Sequence, residues 1–270
     1  MKLQLIAGIQ VFQEADYIWS CLSNLYPHFD KIIVIDGAWQ KTRIFAQKEG
    51  SDDGTVELVK AFPDKDKKIT LIRFAGLGQE DHRRRALQEA LKYLKIDDFY
   101  LMGDGDEFAK HEDWERLKKN LPNIKEDCLK FPWKLFWNDL YTYEQSVSPS
   151  CLFRITEECF CKGTRGMRYA DKQRYRVVRY EDFEIFHPSY VKLLQRQVLK
   201  FSYRTAHDKK FPHIIDRGII YRGGDIYKTN EEWFATLKTG KLEELPLELQ
   251  NHYYSKKRWL PKEKLIIWNK

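Results

Sequence analysis

The sequence predicts an α/β fold, in which helices cover the faces of a mostly parallel β-sheet. Strand-like apolar runs alternate with helical patterns through the first hundred residues, as they do in parallel sheets. One run, KIIVID, contains an unbroken series of Ile and Val residues, which is typical of a strand that is buried on both faces. With 43% hydrophobic and 14% aromatic residues among 270, the chain can bury a sizeable core.

Four strands and three helices follow from these patterns in the first hundred residues. The third helix is the most clearly patterned, because Ala86, Leu87 and Ala90 fall on one face at helical spacing. The strands are Leu3–Ile9, Lys31–Asp36, Lys68–Phe74 and Phe99–Met102, and the helices are Glu14–Leu25, Gly54–Phe62 and Gln79–Leu94.

The second half of the chain changes character. Aromatic, strand-like pieces appear in CLKFPWKLFW, CLFRI and RYRVVRY, with the polar loop TEECFCKGTRGMRYADKQ between two of them. Helices are expected from Val191 to about Arg204 and from about Thr229. No repeat, low-complexity tract or linker is present, so one domain of residues 1–270 is predicted, with halves 1–125 and 126–270.

Composition narrows the class of protein. The net charge of +7 fits an anionic ligand or surface, but acidic and basic residues are interspersed without a recognition motif, so no nucleic-acid partner is expected. Five cysteines, with Cys159 and Cys161 one residue apart, indicate reduced thiols rather than disulfides or a zinc knuckle. The first residues, MKLQLIAGIQVF, favour a strand over a signal peptide, and a cytoplasmic protein is predicted.

Carboxylates collect where the fourth predicted strand ends, in DDFYLMGDGDEF. Asp104, Asp106 and Glu107 surround Gly105, at the end of a strand where parallel sheets bind ligands. A divalent cation would relieve their mutual repulsion, and hard cations take carboxylate oxygens. Gly105 would leave room for a diphosphate to approach the backbone.

Other interpretations of this cluster remain open at the level of sequence. An EF-hand loop is excluded, because Phe108 and Ala109 stand where that loop needs an acidic residue and a glycine. A solvated acidic turn and the acidic start of a helix, in EDWERLKKNL, are both compatible with the composition.

The order of motifs resembles that of family-2 glycosyltransferases with the GT-A fold. VIDGAWQ and SDDGTVELV are followed by RRRALQEALKYLKIDDFYLMGDGDEF, which together match that family's strand-end Asp, Ser-Asp-Asp-Gly-Thr helix start, arginine-containing helix and Asp-x-Asp. The resemblance implies a GT-A type nucleotide-binding α/β/α sandwich. It assigns nucleotide-sugar binding to residues 1–125 and the acceptor side to residues 126–270.

Carried over by position, the resemblance implies donor contacts in the first half. Asp36 would contact the base or ribose, and Arg84 or Arg85 the diphosphate. Asp53 would contact the nucleotide or cap its own helix. A longer segment than usual, GAWQKTRIFAQKEG, separates Asp36 from Ser51.

The resemblance also implies a metal centre. Asp106 would be the principal ligand of Mn²⁺ or Mg²⁺, and Asp104 a ribose or metal contact. A histidine from the second half completes the metal shell in many GT-A enzymes, and His187 in EIFHPSY matches it better than His207 or His213.

Acceptor-side residues follow from the same resemblance. An inverting enzyme needs a carboxylate base, for which Asp182 and Asp171 are the two candidates. Trp137 and its aromatic neighbours would stack on sugar rings or pack in the core.

The predicted function is therefore metal-dependent transfer of a sugar from a nucleotide-sugar donor to a hydroxyl of a glycan or lipid-linked acceptor. A nucleotidyltransferase is the alternative among enzymes, although GIQVFQEADY lacks the glycine-rich basic loop of that class. A non-catalytic nucleotide- or sugar-binding protein is the alternative outside enzymes. The tail YYSKKRWLPKEKLIIWNK would either touch an anionic membrane peripherally or pack on the domain.

Overall fold

A computed structural model describes residues 3–40, 49–137, 139–147, 151–157, 159–161, 166–169, 176–192, 213–216, 219–222 and 237–256. The chain forms two compact units. The first comprises Met1–Trp133 and Val147–Ile185, and the second comprises Lys134–Ser146 and Phe186–Lys270.

The elements are numbered in chain order among the described residues. The helices are α1 (Ile18–Leu25), α2 (Thr55–Ala61), α3 (Gln79–Ala90), α4 (His111–Asn120) and α5 (Leu247–Gln250), with 3₁₀ turns at Leu121–Asn123, Leu242–Glu244 and Tyr253–Lys256. The strands are β1 (Leu5–Val11), β2 (Lys31–Asp36), β3 (Ile69–Arg73), β4 (Phe99–Asp104), β5 (Cys128–Lys130), β6 (Pro132–Trp137), β7 (Thr142–Val147), β8 (Leu152–Arg154), β9 (Cys159–Cys161), β10 (Met167–Tyr169), β11 (Val177–Arg179), β12 (Ile185–Tyr190), β13 (His213–Asp216), β14 (Ile219–Arg222) and β15 (Lys238–Thr239).

The first unit is built on a seven-stranded sheet in the order β11-β5-β8-β4-β1-β2-β3. The pairs β1–β2, β1–β4, β2–β3 and β5–β11 are parallel, whereas β8 is antiparallel to both β4 and β5. Four parallel pairs against two antiparallel ones make the sheet mostly parallel. The predicted α/β fold class is confirmed.

Element boundaries differ from the sequence prediction in ways the contacts explain. Strand β2 has the predicted bounds, but β1 extends to Val11, because parallel pairing with β2 continues as far as Asp36. Helix α1 starts at Ile18 rather than at Glu14, since Gln13 has a positive φ of 56° and a turn follows it. Predicted helices near Val191 and Thr229 lie outside the described residues, apart from Val191 and Lys192, which are not helical.

Helix α3 covers one face of the parallel strands. Its residues at helical spacing, Ala86, Leu87 and Ala90, are at most 2% exposed and pack in one cluster with strand residues. Those strand residues alternate along β1, β2 and β4, as side chains on one sheet face must. They are Ile6, Ile33, Ile35, Tyr100 and Met102. Because all seven residues of β1 are buried, its opposite face is covered as well.

The second unit contains a four-stranded sheet in the order β12-β6-β7-β15 and a two-stranded pair of β13 and β14. Phe136 of β6 stacks with Phe186 of β12 at a centroid distance of 6.4 Å. The Tyr141 hydroxyl donates to the Ser255 carbonyl oxygen at 2.6 Å. Aromatic packing and this buried hydrogen bond thus tie the segment around residue 255 to the sheet. No helix among the described residues has both the length and the apolar character that crossing a bilayer requires.

Gly8 of β1 provides the space for a large neighbour. The Tyr100 ring of β4 lies across it, so that a Cβ atom at position 8 would stand 1.9 Å from the Tyr100 Oη. Tyr100 is fully buried. The absence of a side chain at position 8 therefore decides how α3 and the sheet pack.

We expect Gly8→Ala to destabilise the fold by about 2 kcal/mol, because the added methyl group overlaps the Tyr100 ring, which is fully buried and would have to move. Gly78→Ala is the matched control, since nothing lies within 4 Å of a Cβ atom there and its φ of −150° suits alanine. Urea unfolding of both variants measures the difference. Equal stability of the two variants would contradict this packing.

Candidate functional site

Two aspartates end the strands on either side of β1, at the carboxyl edge of the sheet. Residue Gln10 of β1 pairs with Asp104 of β4, and Val11 pairs with Asp36 of β2. The chain runs from β1 to β2 and β3 on one side, and then returns past β1 to β4. A reversal of this kind opens a crevice at the carboxyl ends of the strands, which is where such sheets bind ligands.

A buried arginine fixes the position of Asp104. The Arg83 guanidinium donates to the Asp104 carboxylate and to the Gly103 carbonyl oxygen. The Arg83 side chain is 3% exposed and the Asp104 side chain 31% exposed. A pair this far from solvent interacts much more strongly than one on the surface. Arg83 therefore anchors the end of β4 to α3.

Sequence reasoning missed Arg83 and selected its neighbour. Arg84 points away from Asp104 and pairs instead with Glu80 at 2.8 Å and with Asp81 at 3.5 Å on its own helix. A signal was present, because Arg83 shares the helical face of Ala86, Leu87 and Ala90. The diphosphate contact predicted for Arg84 stays a prediction.

The rest of the acidic cluster is buried rather than solvated. Asp106 is 3% exposed, Glu107 7%, and Glu14, from the segment after β1, 8%. Glu107 also accepts a hydrogen bond from the Asp104 backbone N–H at 3.2 Å. A solvated acidic turn is therefore not what the chain forms here. The cluster is also not the first turn of a helix, because α4 starts at His111.

Cys21 of α1 lies near the buried carboxylates of this cluster. Burial raises the pKa of its thiol well above the ordinary value of 9.0, and the negative charges of Asp106, Glu107 and Glu14 raise it further. Its Sγ lies 3.8 Å from the backbone oxygens of both Asp104 and Glu107. Three buried acidic side chains thus surround one neutral thiol, which makes this edge of the sheet strongly attractive to a cation.

Gly105 has a different role from the one expected. A Cβ atom there would lie 2.5 Å from Val11 Cγ1, and the Gly105 N–H donates to the Gln10 carbonyl oxygen at 3.2 Å. The space beside this glycine is therefore occupied by β1. The expectation that it leaves room for a diphosphate is wrong, because the acidic loop folds back onto the neighbouring strand.

Asp36 is fully buried at the end of β2. Its carboxylate oxygens accept from the Ser51 backbone N–H at 3.3 Å, and Arg73 Nε lies 3.4 Å away. Burial raises the pKa of this carboxyl, although the Ser51 hydrogen bonds and Arg73 oppose the rise. The carboxylate therefore joins the end of β2 to Ser51.

The Ser-Asp-Asp-Gly-Thr element holds the segment that follows β1. The Ser51 hydroxyl accepts from the Gln13 N–H at 2.7 Å, and the Thr55 hydroxyl accepts from the Glu14 N–H at 2.8 Å. Asp53 accepts from the N–H of Thr55, the first residue of α2, at 3.1 Å, and from the N–H of Ala15 at 3.1 Å. Asp53 thus performs the helix-start role that the sequence left open beside nucleotide binding.

The remaining predicted site residues are placed as follows. Asp182 is exposed in the first unit, and its backbone oxygen accepts from Arg116. In the second unit, His187 is 6% exposed on β12 and Trp137 is 1% exposed on β6. Asp171, the other candidate base, lies outside the described residues. The roles of these four residues stay predictions.

Comparison with known proteins gives weak matches. No protein-family model matches the chain, and neither does any curated protein. Among solved structures, S. aureus TarS 1–349 in complex with UDP-GlcNAc is 13% identical, with a TM-score of 0.44 over 75% of this chain and 66% of that chain. A 4-diphosphocytidyl-2C-methyl-D-erythritol synthase is 17% identical, with a TM-score of 0.40 over 57% of this chain and 76% of that chain.

Other TarS structures match over a smaller share of their length. Another structure of S. aureus TarS 1–349 has 13% identity and a TM-score of 0.43 over 75% of this chain. The present chain spans 65% of that chain and 39% of a longer S. aureus TarS chain, in each case less than two thirds.

We expect Arg83→Met to destabilise the protein by about 3 kcal/mol, because it leaves the Asp104 carboxylate and a buried carbonyl oxygen without their donor. Arg84→Met, on the next residue of the same helix, removes an exposed ion pair and is expected to cost about 1 kcal/mol or less. Urea unfolding at neutral pH compares the two. Similar losses in both variants would show that Arg83 does not anchor β4.

The raised pKa of Asp36 predicts a specific pH dependence. Between the ordinary aspartate value of 3.8 and the raised value, the folded protein holds a proton that the unfolded chain has lost. The free energy of unfolding therefore falls as pH rises through this window. Asp36→Asn removes this component. The free energy of unfolding of the wild type minus that of the variant, measured by urea unfolding, is therefore expected to decline as pH rises. A difference that rises with pH would contradict the burial effect.

Proposed function

We propose that this protein is a metal-dependent glycosyltransferase that moves a sugar from a nucleotide-sugar donor to a hydroxyl group. The observation that carries the proposal is the carboxylate cluster of Asp104, Asp106 and Glu107 at the carboxyl ends of parallel strands, in which Asp106 and Glu107 are buried. Buried carboxylates persist only when paired or bound to a cation. The order of sequence motifs leading into this cluster supports the same activity.

We propose Asp104 and Asp106 as cation ligands, joined by His187, the histidine that the family resemblance assigns to the metal shell. Two carboxylates and an imidazole suit Mn²⁺ or Mg²⁺, with the remaining positions left to water and phosphate oxygens. Arg83 holds the Asp104 carboxylate, which pre-orients it. When bound, the cation supplies charge neutralisation for a departing diphosphate.

The donor and acceptor contacts complete the proposal. Asp36 and Asp53 stand where the family resemblance places base and ribose contacts. Both carboxylates already bind backbone N–H groups, so they would act by shaping the pocket as well as by touching the nucleotide. Asp182 or Asp171 would accept the proton of the attacking hydroxyl, and Trp137 would line the sugar side. A glycan or lipid-linked acceptor, with peripheral membrane contact through the tail, fits this activity.

The test is a thermal-shift titration with a panel of nucleoside diphosphates, with and without Mn²⁺. We expect one nucleotide to raise the Tm of the wild type only when Mn²⁺ is present, because ligands that bind the folded state stabilise it by mass action. Asp106→Asn is expected to abolish the shift.

Asp113→Asn is the matched control, because Asp113 is also buried, at 8% exposure, and pairs with Arg116 on α4. It should keep the metal-dependent shift. If no nucleotide shifts the wild type, or if Asp106→Asn responds like Asp113→Asn, the transferase proposal fails. Release of the nucleoside diphosphate from its sugar conjugate then separates turnover from binding alone.

A further inference from the structure

A second candidate site lies on the flank of the first unit, where the edge strand β3 meets α3. An open groove of about 510 Å³ runs between them. Ile72 and Phe74 form its apolar floor and pack against the sheet core. Its walls are formed by the polar side chains of Arg73, Asp81, Arg84, Arg85 and Gln88.

The charge of this β3–α3 groove is dominated by guanidinium groups. Three arginines face one lining carboxylate, that of Asp81. Its Oδ2 accepts from the backbone N–H groups of Leu77 at 2.9 Å and Gly78 at 3.1 Å, and its Oδ1 lies 3.5 Å from Arg84, so one carboxylate is set against three guanidinium groups. A positive surface of this kind attracts anions.

The three arginines differ in their existing partners. Arg73 contacts Asp36 through Nε alone, and its side chain is 59% exposed. Arg84 shares an exposed pair with Glu80. Arg85 makes no hydrogen bond or ion pair within the part of the chain that the structure describes. At least one complete guanidinium fork is therefore available to a ligand.

The groove is distinct from the carboxylate cluster. Strands β1 and β2 separate β3 from β4, and strands in a sheet lie about 4.8 Å apart, so the β3 side of the groove lies roughly 14 Å from β4, the strand that Asp104 ends. Arg83 turns toward Asp104, whereas Arg84 and Arg85 turn toward the groove. One helix thus presents arginines to two different places.

We propose that the β3–α3 groove binds the phosphoryl group of a phosphate ester. Guanidinium forks match phosphate oxygens in bidentate geometry, and Arg is favoured over Lys where such planar recognition matters. The apolar floor of Ile72 and Phe74 receives the organic part of the ester, while the Gln88 amide offers a further donor. The site lies apart from the proposed carboxylate ligands, although it includes Arg84, for which the sequence predicted a diphosphate contact, and Arg73, which contacts Asp36.

Glycerol 3-phosphate is the probe, titrated by isothermal calorimetry without divalent metal and at constant ionic strength. We expect wild type to bind it, and the double variant Arg84→Gln/Arg85→Gln to bind at least about tenfold more weakly, because two charge-assisted hydrogen-bond donors are lost. Both side chains lie on the outer face of α3, so the variant is expected to fold, which circular dichroism verifies.

Lys92→Gln is the control, because it removes one positive charge just beyond α3 but outside the groove. It should bind like wild type. No binding by wild type, undiminished binding by the double variant, or an equal loss in Lys92→Gln would each overturn the proposal. Asp106→Asn should bind normally, so this outcome stands apart from that of the metal-site test.

A second arm identifies the source of the phosphoryl group. Vesicles of phosphatidylglycerol in phosphatidylcholine are sedimented with wild type and with the double variant. Co-sedimentation of the wild type alone would support a lipid headgroup as the ligand. Binding of glycerol 3-phosphate without co-sedimentation would support a soluble phosphate ester.

Discussion

The contact between Arg83 and Asp104 is the interaction on which the candidate site depends. Like charges about 4 Å apart repel by on the order of 4 kcal/mol at the dielectric constant typical of partly buried sites. Asp104, Asp106, Glu107 and Glu14 are nevertheless gathered at one strand end. Arg83 compensates the charge of Asp104 from inside the core. This ion pair therefore helps the fold to tolerate an acidic cluster at the end of β4.

A second constraint is the set of hydrogen bonds that join the segments at the ends of β1 and β2. Ser51 and Thr55 bind the backbone that follows β1, and Asp36 binds the backbone of Ser51. The hydroxyl groups of Ser51 and Thr55 and the carboxylate of Asp36 thus hold the segments that follow β1 and β2. The motif that the family resemblance associates with nucleotide binding therefore has a structural role in the protein.

Much of the fold could be predicted from sequence, because long apolar runs and helical periodicity are local signals. Strand β2 is such a run, and its predicted bounds hold. Strands β5, β8 and β11 have three residues each, too few to show a period, so their mixed pairing was not visible.

The site was predicted in part, for a related reason. Asp104 and Asp106 follow directly from the strand they end. Arg83 and Glu14 reach the cluster only through packing, and a run of three arginines looks like a solvated helix face unless its angle to the core is known. The role of Gly105 depends on Val11, which lies more than ninety residues earlier in the chain. Contacts of this kind are set by tertiary structure.

The Tyr100 ring over Gly8 also has a consequence for how this chain can change through descent. The side chains at the two positions share one volume between adjacent strands, so the residue at one position limits which residues the other can accept. A lineage that replaces the tyrosine with a smaller residue opens a cavity that a side chain at position 8 can then fill. Positions 8 and 100 should consequently covary among homologous chains, in the order of aromatic loss first and glycine loss second.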